Sequence, residues 1–211
     1  MKEKIISVIN QKGGVGKTTT VINLAAGLSQ NNKKILVIDL DPQGNATTGL
    51  GLLNISQPSN SIYEVLSGSK KIDDVISKTK FSNLDIITSN VDLSGLEVET
   101  ADDGRRAYIL KEKLAAYLND SRGHYDYVLI DCPPSLSLLT VMALVASHSL
   151  LVPLQTEFFA LEGITQLIKT IDRIKVGLNP NLEIRGILLT MFDKRNKPVS
   201  YTHLRAHETV S

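Results

Sequence analysis

Cysteine is almost missing from this sequence. Cys132 stands alone among 211 residues, so no disulfide framework can form within the chain, and the composition fits a reducing cytoplasm. A lone thiol also leaves no set of ligands for an iron–sulfur cluster. His203 and His207 are four apart but flank no apolar helix, so no zinc site is expected there. Net charge is missing as well. Lys and Arg number 23 against 22 Asp and Glu, a formal charge of +1, so any polyanion must be bound by a local patch. No apolar run approaches a membrane span. Met1-Lys2-Glu3-Lys4 leads into only a short apolar run, which is not the pattern of a signal peptide. Repeats and low-complexity linkers are absent too. These absences lead to the expectation of a soluble cytoplasmic protein with no membrane partner. What remains is ordinary: 42% hydrophobic and 21% charged residues, at a length suited to one α/β domain with a sizeable core.

The informative stretch is Lys12-Gly13-Gly14-Val15-Gly16-Lys17-Thr18. Before it, Ile5-Ile6-Ser7-Val8-Ile9 is apolar and β-branched enough for a buried parallel strand. After it, Val21, Ile22, Leu24, Ala25 and Leu28 fall at helical spacing from Thr18 to about Gln30. A glycine-rich turn between a strand and a helix suits a nucleotide phosphate. Glycines let the backbone approach and turn its N–H groups inward, and the helix N-terminus favours the anion. In the P-loop pattern Lys17 reaches the β- and γ-phosphates and the Thr18 hydroxyl ligates Mg²⁺. The strict pattern asks for glycine at position 11, where this chain has Gln11, and Lys12 is one lysine too many. By itself Lys12 could equally be a solvated loop residue.

Apolar strands alternate with amphipathic helices along the chain, which predicts an α/β fold: a doubly wound, mostly parallel sheet with helices on both faces. Strands are expected at 34–39, 84–87, 127–130, 149–154 and 184–190. Residues 41–49 read as a long polar loop. Ser61 is expected to cap a short helix through Leu66, with a second short helix over 72–77. Further helices are expected from near Asp103 to Leu118, at 138–146 and at 161–174. The loops at 10–17, 39–45, 131–135 and 190–196 all follow strands. In open α/β sheets such loops converge on one crevice.

Asp131 ends an apolar strand and precedes Pro133-Pro134, the placement of a Walker B aspartate that holds Mg²⁺ directly or through water. The alternative is an aspartate that merely caps the next helix. Asp39 and Asp41 sit in Asp39-Leu40-Asp41-Pro42-Gln43. A carboxylate near a γ-phosphate can orient the attacking water, while either residue could instead be a turn-forming Asp before Pro.

Three segments together resemble the deviant Walker A ATPases of the ParA/MinD family, and within it the ParA/Soj partition ATPases. They are residues 10–20 around Lys12 and Lys17, Asp39-Leu40-Asp41-Pro42-Gln43-Gly44-Asn45-Ala46-Thr47, and Asp131-Cys132-Pro133-Pro134-Ser135. Glu157-Phe158-Phe159-Ala160-Leu161-Glu162-Gly163 matches the same group. The resemblance implies a P-loop NTPase fold and a cytoplasmic, nucleoid-associated, Mg²⁺-dependent ATPase. It further implies a homodimer with ATP sandwiched between subunits, non-specific DNA binding and hydrolysis stimulated by a ParB/Spo0J partner. By the same resemblance, Lys12 reaches the phosphates bound by the partner subunit. The backbone of Gly13, Gly14, Val15 and Gly16, with Lys17, Thr18 and Thr19, cradles the phosphates of its own subunit. Asp41 rather than Asp39 orients the water. Arg195 falls where the resemblance places a DNA-contacting arginine, and Lys194 and Lys197 could add phosphate contacts. A merely solvated basic loop is the alternative, and adenine contact competes for Thr190 to Asp193.

The resemblance covers residues 1–197, read as the ATPase domain, and stops at Pro198. Residues 198–211 show no apolar period, so a truncated or chimeric end is expected, with sheet surface left uncovered. Two other functions compete. A MinD-like membrane-positioning ATPase would need an amphipathic lipid-binding helix that 198–211 do not offer. A nucleotide-binding regulator that no longer hydrolyses would have no need of Lys12, Lys17, Asp41 and Asp131 together.

Overall fold

The computed structural model of the chain describes residues 4–52, 59–119, 125–155 and 160–191. Strand β1 (Lys4–Val8) is followed by helix α1 (Lys17–Gln30) and strand β2 (Ile35–Asp39). Three short helices come next: α2 (Asn45–Gly49), α3 (Ile62–Leu66) and α4 (Ile72–Val75). Strands β3 (Ile76–Lys78) and β4 (Leu84–Ile87) lead to a 3-10 turn at Val91–Gly95 and helix α5 (Leu96–Glu99). A second 3-10 turn, Arg106–Tyr108, opens into α6 (Ile109–Asn119). The chain then runs through β5 (Tyr127–Asp131), α7 (Leu138–Ala146), β6 (Ser149–Gln155), α8 (Ala160–Gly177) and β7 (Glu183–Thr190).

The seven strands form one sheet in the order β3-β4-β2-β5-β1-β6-β7. Every neighbouring pair is parallel except β3 with β4. Alternation along the strands divides the core in two, because successive side chains point to opposite faces. Ile6, Val8, Ile35, Val37, Leu84, Ile86 and Leu129 meet Val21 and Ala25 of α1. On the other face Ile5, Leu36, Ile38, Ile87, Val128 and Ile130 pack with residues of α3, α4, α6, α7 and α8. The expected doubly wound architecture is therefore present, with helices on both faces. Strand β1 lies between β5 and β6, and the chain leaves it toward β2 on one side and later returns to β6 on the other. The loop after β1 thus sits where the winding direction reverses, the position from which such sheets bind ligands.

Three local expectations need correction. The polar loop over 41–49 contains α2, a one-turn helix. Its Gly-Asn-Ala-Thr-Thr-Gly sequence has poor intrinsic helix propensity, and tertiary contacts decide it. Ala46 is buried, and a Cβ on Gly49 would stand 2.4 Å from Ile22 Cδ1 of α1, so any larger residue there would force the Ile22 side chain to shift. The helix expected over 72–77 ends at Val75. The β-branched Ile76 instead begins β3, which covers the edge of β4 in antiparallel register. The helix expected from near Asp103 begins at Ile109. Asp103 closes a turn, its Oδ1 accepting from the Arg105 N–H at 2.7 Å. Residues 91–99, which carry no clear period, form the first 3-10 turn and α5. By contrast, the Ser61 cap is as expected and is reinforced by Glu64, whose carboxylate accepts from the Ser61 N–H at 2.7 Å.

At the far edge, β7 stays thinly covered. Ile184 and Leu188 are 42% and 41% exposed, and Ile187 and Leu189 are similarly open. Among the described residues no helix is long and apolar enough to cross a membrane.

Candidate active site

The loop after β1 is held at its base by one side chain. Asn10 Nδ2 donates to the Pro153 carbonyl of β6 at 2.7 Å, while its Oδ1 accepts from the Lys12 N–H at 2.9 Å. Gly14 and Gly16 have φ of 73° and 88°, left-handed values that a side chain resists. Helix α1 opens at Gly16, whose carbonyl accepts from Thr20 N at 2.9 Å and Thr20 Oγ1 at 2.7 Å. No acidic residue occupies its first turn, so the helix dipole there is left for an external anion.

The two lysines of the loop are in opposite settings. Lys17 is only 7% exposed, and its Nζ donates to the Lys12 carbonyl at 3.1 Å. Burial lowers its pKa, while Asp131 and Asp41 work in the other direction. Lys12, Gly13, Gly14 and Thr19 are exposed, and the Val15 side chain is buried.

Across the crevice, Thr18 Oγ1 donates to Asp131 Oδ2 at 2.7 Å. The other oxygen, Asp131 Oδ1, is buried without a hydrogen-bond partner. Burial, with Asp39 and Asp41 adding like charge, pushes the Asp131 pKa up to about 7, against the opposing pull of Thr18 and Lys17. A buried carboxylate oxygen that no protein group satisfies, beside a threonine hydroxyl, is a costly arrangement that a hard cation, or a water held by one, relieves. The donor set therefore fits Mg²⁺. Asp131 is not the cap of the following helix, which starts at Leu138 with Ser137 at its N-cap.

Asp39 and Asp41 divide their work. Asp39 is cross-strand from Asp131 and fully buried. Its Oδ2 accepts from Thr47 N at 2.8 Å and Thr47 Oγ1 at 2.7 Å, and its Oδ1 from Asp41 N at 3.2 Å. Burial raises its pKa to about 6 in spite of those bonds. Thr47 Oγ1 also accepts from Ser89 N at 3.1 Å, tying the loop to the end of β4. Asp39 is thus committed to shaping residues 41–47. Asp41 is buried and accepts from Gln43 N at 3.0 Å through Oδ1.

A family model described as an AAA domain matches residues 3–184. The chromosome partitioning protein ParA of Caulobacter vibrioides (strain NA1000 / CB15N) is 50% identical over 193 residues, which is 92% of this chain and 71% of that protein. The chain belongs to the ParA/Soj family of chromosome-partitioning ATPases. The sporulation initiation inhibitor protein Soj of Bacillus subtilis (strain 168) is 46% identical over 192 residues, 91% of this chain and 74% of that protein. Among solved structures, cobyrinic acid a,c-diamide synthase from Mycobacterium smegmatis with bound ADP and magnesium superposes with a TM-score of 0.88 at 36% identity. That match covers 99% of this chain and 83% of the other.

Within this ParA/Soj-type fold the structure brings together Lys17, Thr18, Asp41 and Asp131, with the glycine loop between them. Thr190 joins them, its Oγ1 donating to the Val15 carbonyl at 2.8 Å. Lys194, Arg195 and Lys197 lie outside the described residues, as do Glu157, Phe158 and Phe159, His203 and His207, and the 198–211 segment. Four contributors escaped the sequence reading: Asn10, Thr47, Ser89 and the hydroxyl of Thr190. Asn10 and Thr47 lie inside the family-like segments, while Ser89 and Thr190 are signalled only by standing at or just beyond strand ends.

Proposed function

We propose that this chain binds ATP with Mg²⁺ on the 10–18 loop, dimerises with ATP sandwiched between two copies, and binds DNA non-specifically in that state. A ParB/Spo0J-type partner then stimulates hydrolysis. The observation that carries this reading is the opposite placement of the two loop lysines. Lys17 is buried toward Asp131 and Asp41 and can serve only a ligand of its own subunit. Lys12 is exposed at the rim and can serve phosphates presented from outside.

Each residue then has a role set by its surroundings. Lys17 and the N–H groups of the glycine loop and α1 hold the phosphates, with Gly13, Gly14, Val15, Gly16, Thr18 and Thr19 contributing backbone. Thr18 and Asp131 would hold Mg²⁺, which would supply charge neutralisation to the phosphates. Asp41, on a loop anchored by Asp39 and Thr47, orients the attacking water; this is transition-state positioning that binding alone does not need. Lys194, Arg195 and Lys197 contribute to DNA phosphate contacts, which dimerisation doubles. The ATPase domain spans 1–197, and the working protein associates with the nucleoid.

Sedimentation with plasmid DNA and with anionic vesicles, each with and without ATP, tests the reading on the full chain. ATP-dependent co-sedimentation with DNA that is lost at high salt is the expected result. Co-sedimentation with vesicles instead would move the chain to the membrane-positioning branch of the ParA/MinD family. ATP binding without turnover, even with a cognate partner, would make it a regulator.

A further inference from the structure

We infer that Thr190, at the end of the sheet's edge strand, is a positioning residue for the phosphate loop; the inference rests on the nucleotide-binding reading above. A loop that aims its N–H groups at phosphate must turn its carbonyls outward, and each buried carbonyl then needs a donor. Two of these needs are met locally. The Lys12 carbonyl takes Lys17 Nζ, and the Gly16 carbonyl takes Thr20. The Val15 carbonyl is served from 175 residues away, by Thr190 Oγ1 at 2.8 Å.

That bond has a geometric consequence. The Val15 carbonyl and the Gly16 N–H belong to one planar trans peptide and point in opposite directions. Holding the carbonyl outward against β7 therefore aims the Gly16 N–H into the phosphate cradle. The Thr190 methyl lies beside Gly16, where an added Cβ would make only ordinary van der Waals contact with Thr190 Cγ2 at 3.6 Å. Strand β7 itself is placed by its parallel register on β6, with Gln155 paired to Thr190. Directly afterwards Met191 adopts a left-handed φ of 53°. Without the hydroxyl, the 15–16 peptide is free to rotate toward water and carry the Gly16 N–H off its target.

The test is ADP affinity, measured by titration of a fluorescent ADP with Mg²⁺ in the full chain, so that dimerisation does not enter. Thr190→Val keeps the shape and removes the donor; affinity is expected to fall about tenfold, the usual cost of one buried carbonyl left unpaired. Thr190→Ser keeps the donor and is expected to stay within about threefold of wild type. Nucleotide-free melting of both variants reports any general loss of fold. Rescue by serine but not valine, at equal melting temperature, is an outcome that a merely structural role cannot produce. Equal affinity in Thr190→Val and wild type would overturn the inference, as would an equal loss in both variants. Failure of the wild-type chain to bind ADP at all would overturn the nucleotide reading itself and this inference with it.

Discussion

Each end of the sheet carries a buried carboxylate near a lysine, and the two are finished differently. At the amino end Asp85 accepts from Lys78 Nζ and from the Tyr125 hydroxyl, both at 2.7 Å. A cleft of about 470 Å³ opens there, lined by Lys34, Lys80, Phe81 and Tyr117 among others. At the carboxyl end Asp131 has one oxygen on Thr18 and the other on nothing, and its pKa is pushed up to about 7. Lys17 beside it is pushed down. At the amino end the carboxylate is satisfied by protein donors, with room next to it. At the carboxyl end the protein supplies no hydrogen-bond donor to Asp131 Oδ1 and no acidic residue to the first turn of α1. Incomplete polar satisfaction, rather than cavity size, marks the site.

The largest effect expected from this contrast is at Lys17. Lys17→Ala removes the buried counter-charge of the phosphate cluster, and ATP affinity should fall about a hundredfold or more. Lys12→Ala should leave nucleotide binding to the monomer intact and abolish ATP-dependent dimers on light scattering. Equal loss of affinity in both variants would make Lys12 an ordinary ligand of its own subunit and remove the sandwich.

Next comes Asp41→Ala, which should still bind ATP and dimerise while turnover drops about a hundredfold, because water positioning acts on the transition state. Single-turnover hydrolysis at the parent rate with a stimulating partner present would shift that role to another carboxylate.

A pH titration of stability reads the same incompleteness directly. Asp131 and Asp39 have folded-state pKa values raised from 3.8 to about 7 and about 6. The native state therefore binds more protons than the unfolded chain between about pH 4 and 7, and nucleotide-free stability should decline as pH rises through that window. Asp131→Asn should flatten the decline, and Mg²⁺ with ADP should do so as well. A nucleotide-free melting temperature that rises from pH 5 to pH 7.5, unchanged in slope by Asp131→Asn, would contradict the assignment.

The smallest effect belongs to the amino end. Tyr125→Phe removes one charge-assisted bond to Asp85 and should cost about 1–2 kcal/mol of stability. Lys78 is largely exposed, and Lys78→Ala should cost less than about 1 kcal/mol. Neither should change ATP turnover. A turnover defect in Tyr125→Phe at full occupancy of the fold would mean that the two ends communicate and that the contrast is too sharp.

Much of this was legible in the chain itself because local rules and tertiary packing agree. The runs at 5–9 and 34–39 read as strands, and β1 (Lys4–Val8) and β2 (Ile35–Asp39) fall on them, since both faces of a parallel sheet are buried and leave a continuous apolar run. Lys17, Thr18 and Asp131 are singled out by their position after such runs, and the geometry joins Thr18 to Asp131. The reading failed where pairing with a distant partner outweighs propensity. Asn45–Gly49 is helical because Asp39 holds Thr47 and Gly49 abuts Ile22, and Ile76–Lys78 is a strand because β4 has an open edge.

By itself, then, the sequence determined the order of elements, the glycine loop with its two lysines and the acids at the strand ends. These follow from periodicity and from φ values that only glycine accepts cheaply. The tertiary structure alone decided how each carboxylate is held. Asp39 and Asp41 are two residues apart and chemically alike, but Asp39 is spent on three hydrogen bonds within its own loop. It decided, too, that Thr190 reaches Val15 across the sheet. Hydrogen bonds between residues so far apart in the chain are set by sheet register and helix packing, which no local pattern encodes.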